Sequence, residues 1–281
     1  MNERLQAGYV AVGHVTVDVL PDGSSRPGGT ALYAALQAAR LGVAATIVTR
    51  GRPAEIERLL APFAGELSLI VQPGEQTTTF DTRGSGSERR QRLLAWAGEI
   101  DLGELPASRI LHLAPVAAEL SAAELPPCGF VGLTPQGLAR GWSAPGEEVR
   151  PRRPAPERAA LAERCDALVV SEQEVDACAE LLERAARAGA LVVVTAGSEP
   201  AELRHPGGRA EHVGVPPVAR AIDDLGAGDV YAAALFVALA EGAGPASAAA
   251  LAGAAAAHRL QGVGAQAIGR RDQLGASVRD G

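Results

Sequence analysis

The chain has 281 residues, of which 47% are hydrophobic and 21% charged, so it can bury a large core and is neither a disordered chain nor a mini-scaffold. All 26 basic residues are Arg, and the absence of Lys excludes P-loop enzymes, protein kinases and pyridoxal enzymes in their usual, lysine-dependent forms. The formal net charge is −7 and no long basic run occurs, so we expect no nucleic-acid partner.

Short β-branched runs alternate with longer Ala- and Leu-rich stretches along the chain. The predicted strands, in chain order, span residues 9–12, 46–49, 67–71, 110–113, 130–133, 167–170 and 191–195. The predicted helices span residues 30–41, 55–60, 156–164, 173–188, 228–240 and 245–260. This alternation predicts an α/β fold in which helices cover both faces of a mostly parallel sheet.

Two segments interrupt this alternation and predict antiparallel hairpins, namely 77–82 with 89–94, and 201–213 around a Pro-Gly-Gly turn. The first hairpin could form a small flap over one end of the sheet. The Pro- and Arg-rich segment 142–156 is typical of an exposed loop. We expect a single domain over residues 1–281, with a small lid formed by parts of about 14–28 and 77–95.

A glycine-rich turn, Gly226-Ala227-Gly228, leads directly through Asp229 into a long apolar helix. Glycines permit a close approach of a ligand, and a helix start presents free N–H groups at the positive end of the helix dipole, so the turn predicts an anion site. A carboxylate at such a site repels phosphate, but it is useful if Asp229 takes a proton from an incoming hydroxyl. Taken alone, the turn is equally compatible with an acid that only caps the helix.

A second candidate segment follows the first predicted strand and contains Asp18, Gly28, Gly29 and Thr30. Ligands of open α/β sheets bind outside the carboxyl ends of the strands, where Asp18 would lie. A carboxylate there can hold two hydroxyls of a polyol. Taken alone, the segment favours an ordinary loop acid and turn.

Together the two segments resemble the two signatures of the ribokinase-like, or PfkB, carbohydrate kinase family. The first is a diglycine that opens an early helix ending in Ala-Arg-Leu-Gly (39–42), and the second is the Asp-x-x-Gly-Ala-Gly-Asp of 223–229. Between them, Ser171 to Glu174 resembles the family's Asn-x-x-Glu segment, and Thr195 to Glu199 resembles its nucleotide-loop segment. The resemblance therefore covers nearly the whole chain, in order.

This resemblance implies a three-layer α/β/α sandwich and an ATP-dependent kinase that phosphorylates an alcohol group. Asp229 would be the general base, and the N–H groups of Gly226, Ala227 and Gly228 would form the anion hole. The implied acceptor-binding residues are Asp18, Gly28, Gly29, Thr30 and Tyr33, and the implied nucleotide-binding residues are Ser171, Thr195, Gly197, Gly226 and Gly228. Glu174 would hold Mg²⁺ through water, and Asp223 would help to bind a monovalent cation such as K⁺.

Three positions depart from the family's pattern. Tyr33 replaces an Asn that helps to bind the sugar, Ser171 replaces the Asn of the metal segment, and Asp224-Leu225 replaces a pair of threonines. The segments 77–81, 89–91, 113–116 and 133–137 look like those of inositol-kinase-like members. The expected acceptor is therefore a cyclitol such as inositol, or a sugar, and the alternatives are a nucleoside kinase or a non-catalytic ligand-binding or regulatory protein.

Without Lys, any side-chain cation that meets the transferred phosphoryl group must be an arginine. Candidates are Arg83, Arg89 and Arg90 on the predicted flap, and Tyr33 and Trp96 are candidate pocket aromatics. Three cysteines without metal-ligand spacing predict reduced thiols rather than a disulfide or zinc site. With no apolar span long enough for a bilayer, we expect a cytoplasmic monomer or homodimer without a membrane partner.

Overall fold

The computed structural model describes residues 7–84, 88–121 and 124–277. Its strands in chain order are β1 (Ala7–Val12), β2 (Thr16–Val19), β3 (Ser25–Gly28), β4 (Ala45–Gly51), β5 (Leu67–Pro73), β6 (Thr79–Arg83), β7 (Arg90–Ala95), β8 (Ser108–Leu113), β9 (Cys128–Leu133), β10 (Arg140–Gly141), β11 (Arg150–Pro151), β12 (Ala167–Ser171), β13 (Leu191–Ala196), β14 (Glu199–Arg204) and β15 (Ala210–Val213). Its α-helices are α1 (Thr30–Arg40), α2 (Pro53–Leu60), α3 (Pro156–Ala159), α4 (Val175–Ala188), α5 (Ala227–Ala240), α6 (Pro245–Arg259) and α7 (Arg271–Ser277).

The large sheet of the described residues has nine strands in the order β15-β14-β13-β12-β9-β8-β1-β4-β5. The strands from β13 to β5 in this order are parallel, and the hairpin β14–β15 is antiparallel and forms one edge. The prediction of a mostly parallel sheet is therefore confirmed. Parallel strands end at the same edge of the sheet, so the loops that follow them gather in one place.

Alternating side chains of the sheet face two separate apolar layers. In β1, Tyr9 and Ala11 pack with α1, α5 and α6, whereas Val10 and Val12 pack with α3 and α4. The two-residue period of a strand divides an almost continuously apolar run between both faces. The result is the three-layer α/β/α arrangement that the resemblance implied.

All predicted strands and helices are present, with small shifts at their ends. The predicted helix 156–164 is α3 followed by a 3-10 turn, Ala160–Arg164, which tightens where the chain enters β12. The short helix α7 and the two-residue pair β10–β11 were not predicted. No helix among the described residues is long and apolar enough to cross a membrane.

A second, four-stranded sheet in the order β3-β2-β6-β7 forms the small lid. Phe80 and Leu93 of this sheet form an apolar cluster with Val116 and Ala117. Trp96, Trp142 and Val149 pack against the same cluster. The predicted flap is thus confirmed, although its residues 85–87 lie outside the described ones. The loop 142–156 is mostly exposed, as predicted. The single domain over 1–281 stays a prediction.

Candidate active site

A cleft of about 560 Å³ lies between the lid and the carboxyl ends of the parallel strands. Its size is typical of small-molecule sites. The predicted site residues that line it are Asp18, Gly29, Thr30, Tyr33, Ser171, Glu174, Thr195, Gly197, Gly226, Ala227, Gly228 and Asp229. Gly28 lies directly behind Asp18, and Asp223 lies outside the cleft lining. Residues scattered from 18 to 229 therefore meet in one cavity.

Asp229 lies in the first turn of α5, a helix whose next nine residues, Val230 to Ala238, are all buried. This burial holds the helix start in a defined position, and the Thr30 hydroxyl hydrogen-bonds to the carboxylate. Burial and, to a smaller extent, the charge of Glu174 raise the pKa of Asp229 to about 6, although the Thr30 hydrogen bond and Arg140 oppose the shift. A carboxylate with a raised pKa is a stronger base than an ordinary one.

The raised pKa predicts how activity depends on pH. Because only the ionised carboxylate can accept a proton, kcat/KM should fall as the pH drops through about 6, the pKa of Asp229. Burial also raises the pKa of Asp18, which lines the same cleft, to about 6, so the acid limb should be steeper than for a single ionisation. A pH–rate profile checks this prediction, and Asp18→Asn should reduce the steepness. A profile that is flat down to pH about 5 would contradict it.

The turn before α5 has the backbone geometry that the anion site requires. Gly226 has a φ of +80°, in the left-handed region that favours glycine. A Cβ atom on Gly228 would have no neighbour within 4 Å, so a ligand can approach the backbone there. The Ala227 N–H donates a long hydrogen bond of 3.3 Å to the Asp224 carbonyl oxygen. Of the three predicted N–H groups, that of Ala227 thus already has a partner.

Asp18 is buried on the lid strand β2, on the same side of the strand as Thr16. The Thr16 hydroxyl donates to Asp18 Oδ1 at 3.0 Å. Burial raises the pKa of Asp18 to about 6, against the effects of the Thr16 hydrogen bond and of nearby arginines. A Cβ atom on Gly28, in the neighbouring strand, would lie 2.1 Å from Asp18 Oδ2. The glycine is therefore needed for this position of the carboxylate.

Gly29 and Tyr33 shape the floor of the cleft. Gly29 precedes α1 with a φ of +96°, and a Cβ atom there would lie 2.2 Å from the His14 carbonyl oxygen. The Tyr33 ring is buried against the turn before α5, since a Cβ atom on Gly226 would lie 2.4 Å from it. Tyr33 thus acts mainly as packing beneath the anion site.

Glu174 is held at the cleft by two neutral donors. The Ser171 hydroxyl donates to Glu174 Oε2 at 2.8 Å, and the Gln136 amide donates to Oε1. A carboxylate held in this way keeps lone pairs for water molecules. Mg²⁺ usually retains several waters and binds through one or two carboxylates together with phosphates. The residues present therefore fit a water-mediated Mg²⁺ contact.

Asp223, the predicted cation ligand, is instead surrounded by donors. Burial opposes its ionisation, but the N–H groups of Gly264 and Leu225 and the side chains of Arg26 and Arg259 together lower the pKa of Asp223 to about 2. The carboxylate is thus ionised and fully engaged within the protein.

The structure separates the candidate arginines of the lid. Arg83 pairs with Asp81 in a different surface groove, and Arg90 is also directed there. Arg89 lines the cleft and pairs with Asp224, next to the anion turn. Trp96 lies outside the cleft, where its indole N–H donates to the Ala117 carbonyl oxygen at 2.9 Å.

Arg140, which was not among the predicted site residues, also lines the cleft. One of its N–H groups, on Nη1, donates to the Val116 carbonyl oxygen at 3.1 Å. Burial lowers the pKa of Arg140, against the nearby charges of Glu174 and Asp229. It therefore lies close to both carboxylates of the predicted reaction centre. No sequence signal distinguishes it, because it precedes an arginine-rich loop.

The cleft lining also includes a group of apolar residues, here called the apolar slot. They are Val215, Pro216, Val218, Gly253, Ala256, Ala257 and Leu260, and Thr195 and Gly197 line the same cleft. Gly253, Ala256 and Ala257 lie on one side of α6, where side chains are small. The Ala-rich face of this helix is the sequence signal that could have indicated them.

The geometry agrees with comparisons to known proteins. A family model described as pfkB family carbohydrate kinase matches residues 149–271. Residues 149–271 include Ser171, Glu174, the anion turn and the apolar slot. No curated protein sequence matches the chain significantly.

Solved structures match almost the whole chain. One is a pyrophosphate-dependent kinase in the ribokinase family, complexed with a pyrophosphate analog and myo-inositol, at 18% identity, TM-score 0.74, and coverage of 95% of this chain and 99% of that one. The Burkholderia thailandensis nucleoside kinase in complex with inosine matches at 17% identity, TM-score 0.76, and coverage of 97% and 98%. The Thermotoga maritima ribokinase matches at 21% identity, TM-score 0.70, and coverage of 97% and 99%. The resemblance seen in the sequence is thus confirmed: the chain has the fold of the ribokinase family, and its residues 149–271 match the pfkB carbohydrate kinases.

Proposed function

We propose that the protein is a kinase that transfers the γ-phosphoryl group of ATP to a hydroxyl of a small polyol, either a cyclitol such as inositol or a sugar. The observation that carries this proposal is the position of Asp229. Its carboxylate, with a raised pKa, lines the same cleft as the anion turn and the acceptor-side carboxylate of Asp18. A base, an anion site and a hydroxyl-binding acid are the groups that phosphoryl transfer to an alcohol needs.

In this mechanism Asp18 accepts hydrogen bonds from the acceptor's hydroxyls and orients one of them toward the donor. The N–H groups at the start of α5 hold the phosphate oxygens. The acceptor oxygen forms a bond to the γ-phosphorus as the bond from that phosphorus to the bridging oxygen breaks, and the hydroxyl proton passes to Asp229. ADP is the leaving group. Mg²⁺, when held through water by Glu174, would neutralise charge on the phosphates.

The apolar slot supports a nucleotide donor. Ala256 and Ala257, together with Val215 and Leu260, offer an apolar surface that suits an adenine ring, in the same cleft as the turn that would bind phosphates. Pyrophosphate carries no base and would leave such a slot unused. Because pyrophosphate-dependent kinases share the fold, pyrophosphate is the alternative donor that a test must include.

The acceptor side supports a polyol over a nucleoside. The aromatic residues that line the cleft are Phe80, Tyr33 and Tyr231, and all three are buried, while Trp96 lies outside it. None of them presents an open face on which a nucleoside base could stack. The buried carboxylate of Asp18 beside the Thr16 hydroxyl offers polar contacts instead. A nucleoside kinase and a non-catalytic binding protein are the alternatives.

The test is a matrix of donors and acceptors. ATP and pyrophosphate, each with Mg²⁺, are combined with inositols, pentoses, hexoses and nucleosides, and phosphorylated product and ADP or phosphate release are measured. We expect turnover with ATP and a cyclitol or sugar. Turnover only with nucleosides would replace the acceptor class, and turnover only with pyrophosphate would replace the donor. Binding of ATP and acceptor without product in any combination would favour the binding protein.

Arg140 is expected to contribute to turnover, because its guanidinium lies near Asp229 and Glu174 and can neutralise phosphoryl charge. Replacing one such donor costs on the order of 100-fold in turnover, which is the effect we expect for Arg140→Gln. Steady-state kinetics measure it. Arg150→Gln is the matched control, since the Arg150 side chain is 76% exposed and lies in the surface groove that also contains Arg83 and Arg90. Equal activity of the two variants would contradict a role for Arg140.

A further inference from the structure

The last residue of α6, Arg259, is completely buried, although the rest of that helix consists mainly of small apolar residues. A buried guanidinium is costly unless hydrogen-bond acceptors surround it. Its Nη1 donates to the carbonyl oxygens of Asp223 at 3.2 Å and Gly262 at 2.9 Å. Its Nη2 donates to Asp223 Oδ2 at 3.0 Å and to the Leu225 carbonyl oxygen at 2.6 Å. One positive charge therefore has a shell of four oxygen contacts.

This shell has the chemistry of a monovalent-cation site. Backbone carbonyl oxygens are the groups that replace the water shell of K⁺ in proteins. Here three carbonyls and one carboxylate converge, and they come from the loop before the anion turn and from the loop after α6. The two Nη atoms of the Arg259 guanidinium occupy the space between these oxygens.

The remaining capacity of Asp223 is also used. Arg26, on lid strand β3, donates Nη1 to Oδ2 at 2.8 Å and Nη2 to Oδ1 at 3.3 Å. The N–H groups of Gly264 and Leu225 add bonds of 2.9 and 3.1 Å. The carboxylate thus accepts five hydrogen bonds in all when that from Arg259 is included. The predicted K⁺ ligand therefore does not fit a metal ion.

Tyr33, one of the positions that depart from the family's pattern, is also in contact with Arg259. The Arg259 guanidinium lies over the Tyr33 ring, 5.4 Å from its centroid, a geometry that stabilises a cation. The same ring packs on Gly226 at the anion turn. A tyrosine here thus supports the buried arginine from one side and the turn from the other.

We infer that Arg259 is a built-in cation that takes the place of a bound monovalent ion, fixes the loop 223–225 before the anion turn, and makes the protein independent of K⁺. An ion held by mass action leaves at low concentration, whereas an arginine is always present and always charged. The expectation that turnover does not require K⁺ rests on the proposed function. The expectation that no K⁺ binds does not.

The first test compares the unfolding temperature of the wild-type protein in potassium, sodium, ammonium and choline chlorides at equal ionic strength. We expect no difference between the salts, because a ligand that binds only the folded protein would raise the unfolding temperature with its concentration. A rise that is specific to K⁺ would overturn the inference. Lack of turnover with every donor would contradict only the kinase proposal, since this readout needs no catalysis.

The second test creates the ion site. Arg259→Ala should unfold at a lower temperature in choline chloride, and K⁺, ammonium or low concentrations of methylguanidinium should restore part of the loss. Arg187→Ala is the matched control, because Arg187 lies in the last turn of α4 with its side chain 72% exposed. The unfolding temperature of this control should change little, and K⁺ or ammonium should not raise it. A folded Arg259→Ala variant that responds equally to K⁺ and choline would overturn the inference. If Arg259→Ala does not fold, Arg259→Lys, which keeps a charge in the shell, and the wild-type comparison still decide.

Discussion

Replacement of Asp229 by Asn is expected to lower turnover by about 100- to 10,000-fold, the usual contribution of a general base. The amide has nearly the same shape and can still hydrogen-bond to Thr30, but it cannot accept the hydroxyl proton. Affinity for ADP should not fall, because the variant removes a negative charge beside the phosphate site. Steady-state kinetics and calorimetric titration with ADP separate the two effects.

The stability of the same variant has a defined sign. Burial raises the pKa of Asp229 from its model-peptide value of 3.8 to about 6 in the folded protein, so the folded state binds this proton more tightly than the unfolded state. The stability that this group contributes is present at low pH and is lost as the pH rises through about 6. At neutral pH, Asp229→Asn should therefore be at least as stable as the wild type. Lost activity in a stable variant cannot be attributed to unfolding.

Asp176→Asn is the control for the alternative that Asp229 only caps a helix. Both residues are acids in the first turn of a 14-residue helix, but Asp176 is exposed and lies outside the cleft. If Asp229 were only a helix cap, its replacement would cost about 0.3–1 kcal/mol of stability, as expected for Asp176, and would leave turnover unchanged. If the two variants keep equal turnover, the assignment of Asp229 as the base is wrong.

The second large effect is expected for Gly226→Ala. This residue has a φ of +80°, and an added Cβ atom would lie 2.4 Å from the buried Tyr33 ring. Left-handed backbone costs about 1–2 kcal/mol for a residue with a Cβ atom, and overpacking adds about 1–3 kcal/mol. Denaturant unfolding should show that the free energy of unfolding falls by the sum of these two costs. Turnover should fall by about 100-fold as well, because the anion turn must shift to relieve the contact.

Gly242→Ala separates the cost of the left-handed backbone from the cost of the steric contact. Gly242 follows α5 with a φ of +94°, but a Cβ atom there would have no neighbour within 4 Å. This variant should lose only the stability that the left-handed backbone costs a residue with a Cβ atom, and it should keep full turnover. A Gly226→Ala variant that loses no more stability than Gly242→Ala, with normal turnover, would show that the contact with Tyr33 is not rigid.

The fold class and the glycine-rich turn before α5 could be predicted from the sequence alone. Strands such as β8 and β13 are short apolar runs bounded by loop residues, a signal that does not depend on the rest of the chain. The start of α5 is likewise local, because glycines followed by a long apolar run specify both the turn and the helix. Asp18 and Asp229 could be assigned to one site in advance only because their two segments together resemble the family's signatures.

Which charged side chains meet could not be predicted from the sequence, because it depends on how distant segments pack. Arg26, Asp223 and Arg259 are separated by up to 233 positions, and the arrangement that makes Arg259 a buried cation depends on how α6 and the lid pack around the loop before α5. The same is true of Arg140, which enters the cleft, and of Trp96, which does not. Local propensity reports backbone conformation, whereas the partner of a long polar side chain depends on contacts between distant segments, which no spacing in the sequence encodes.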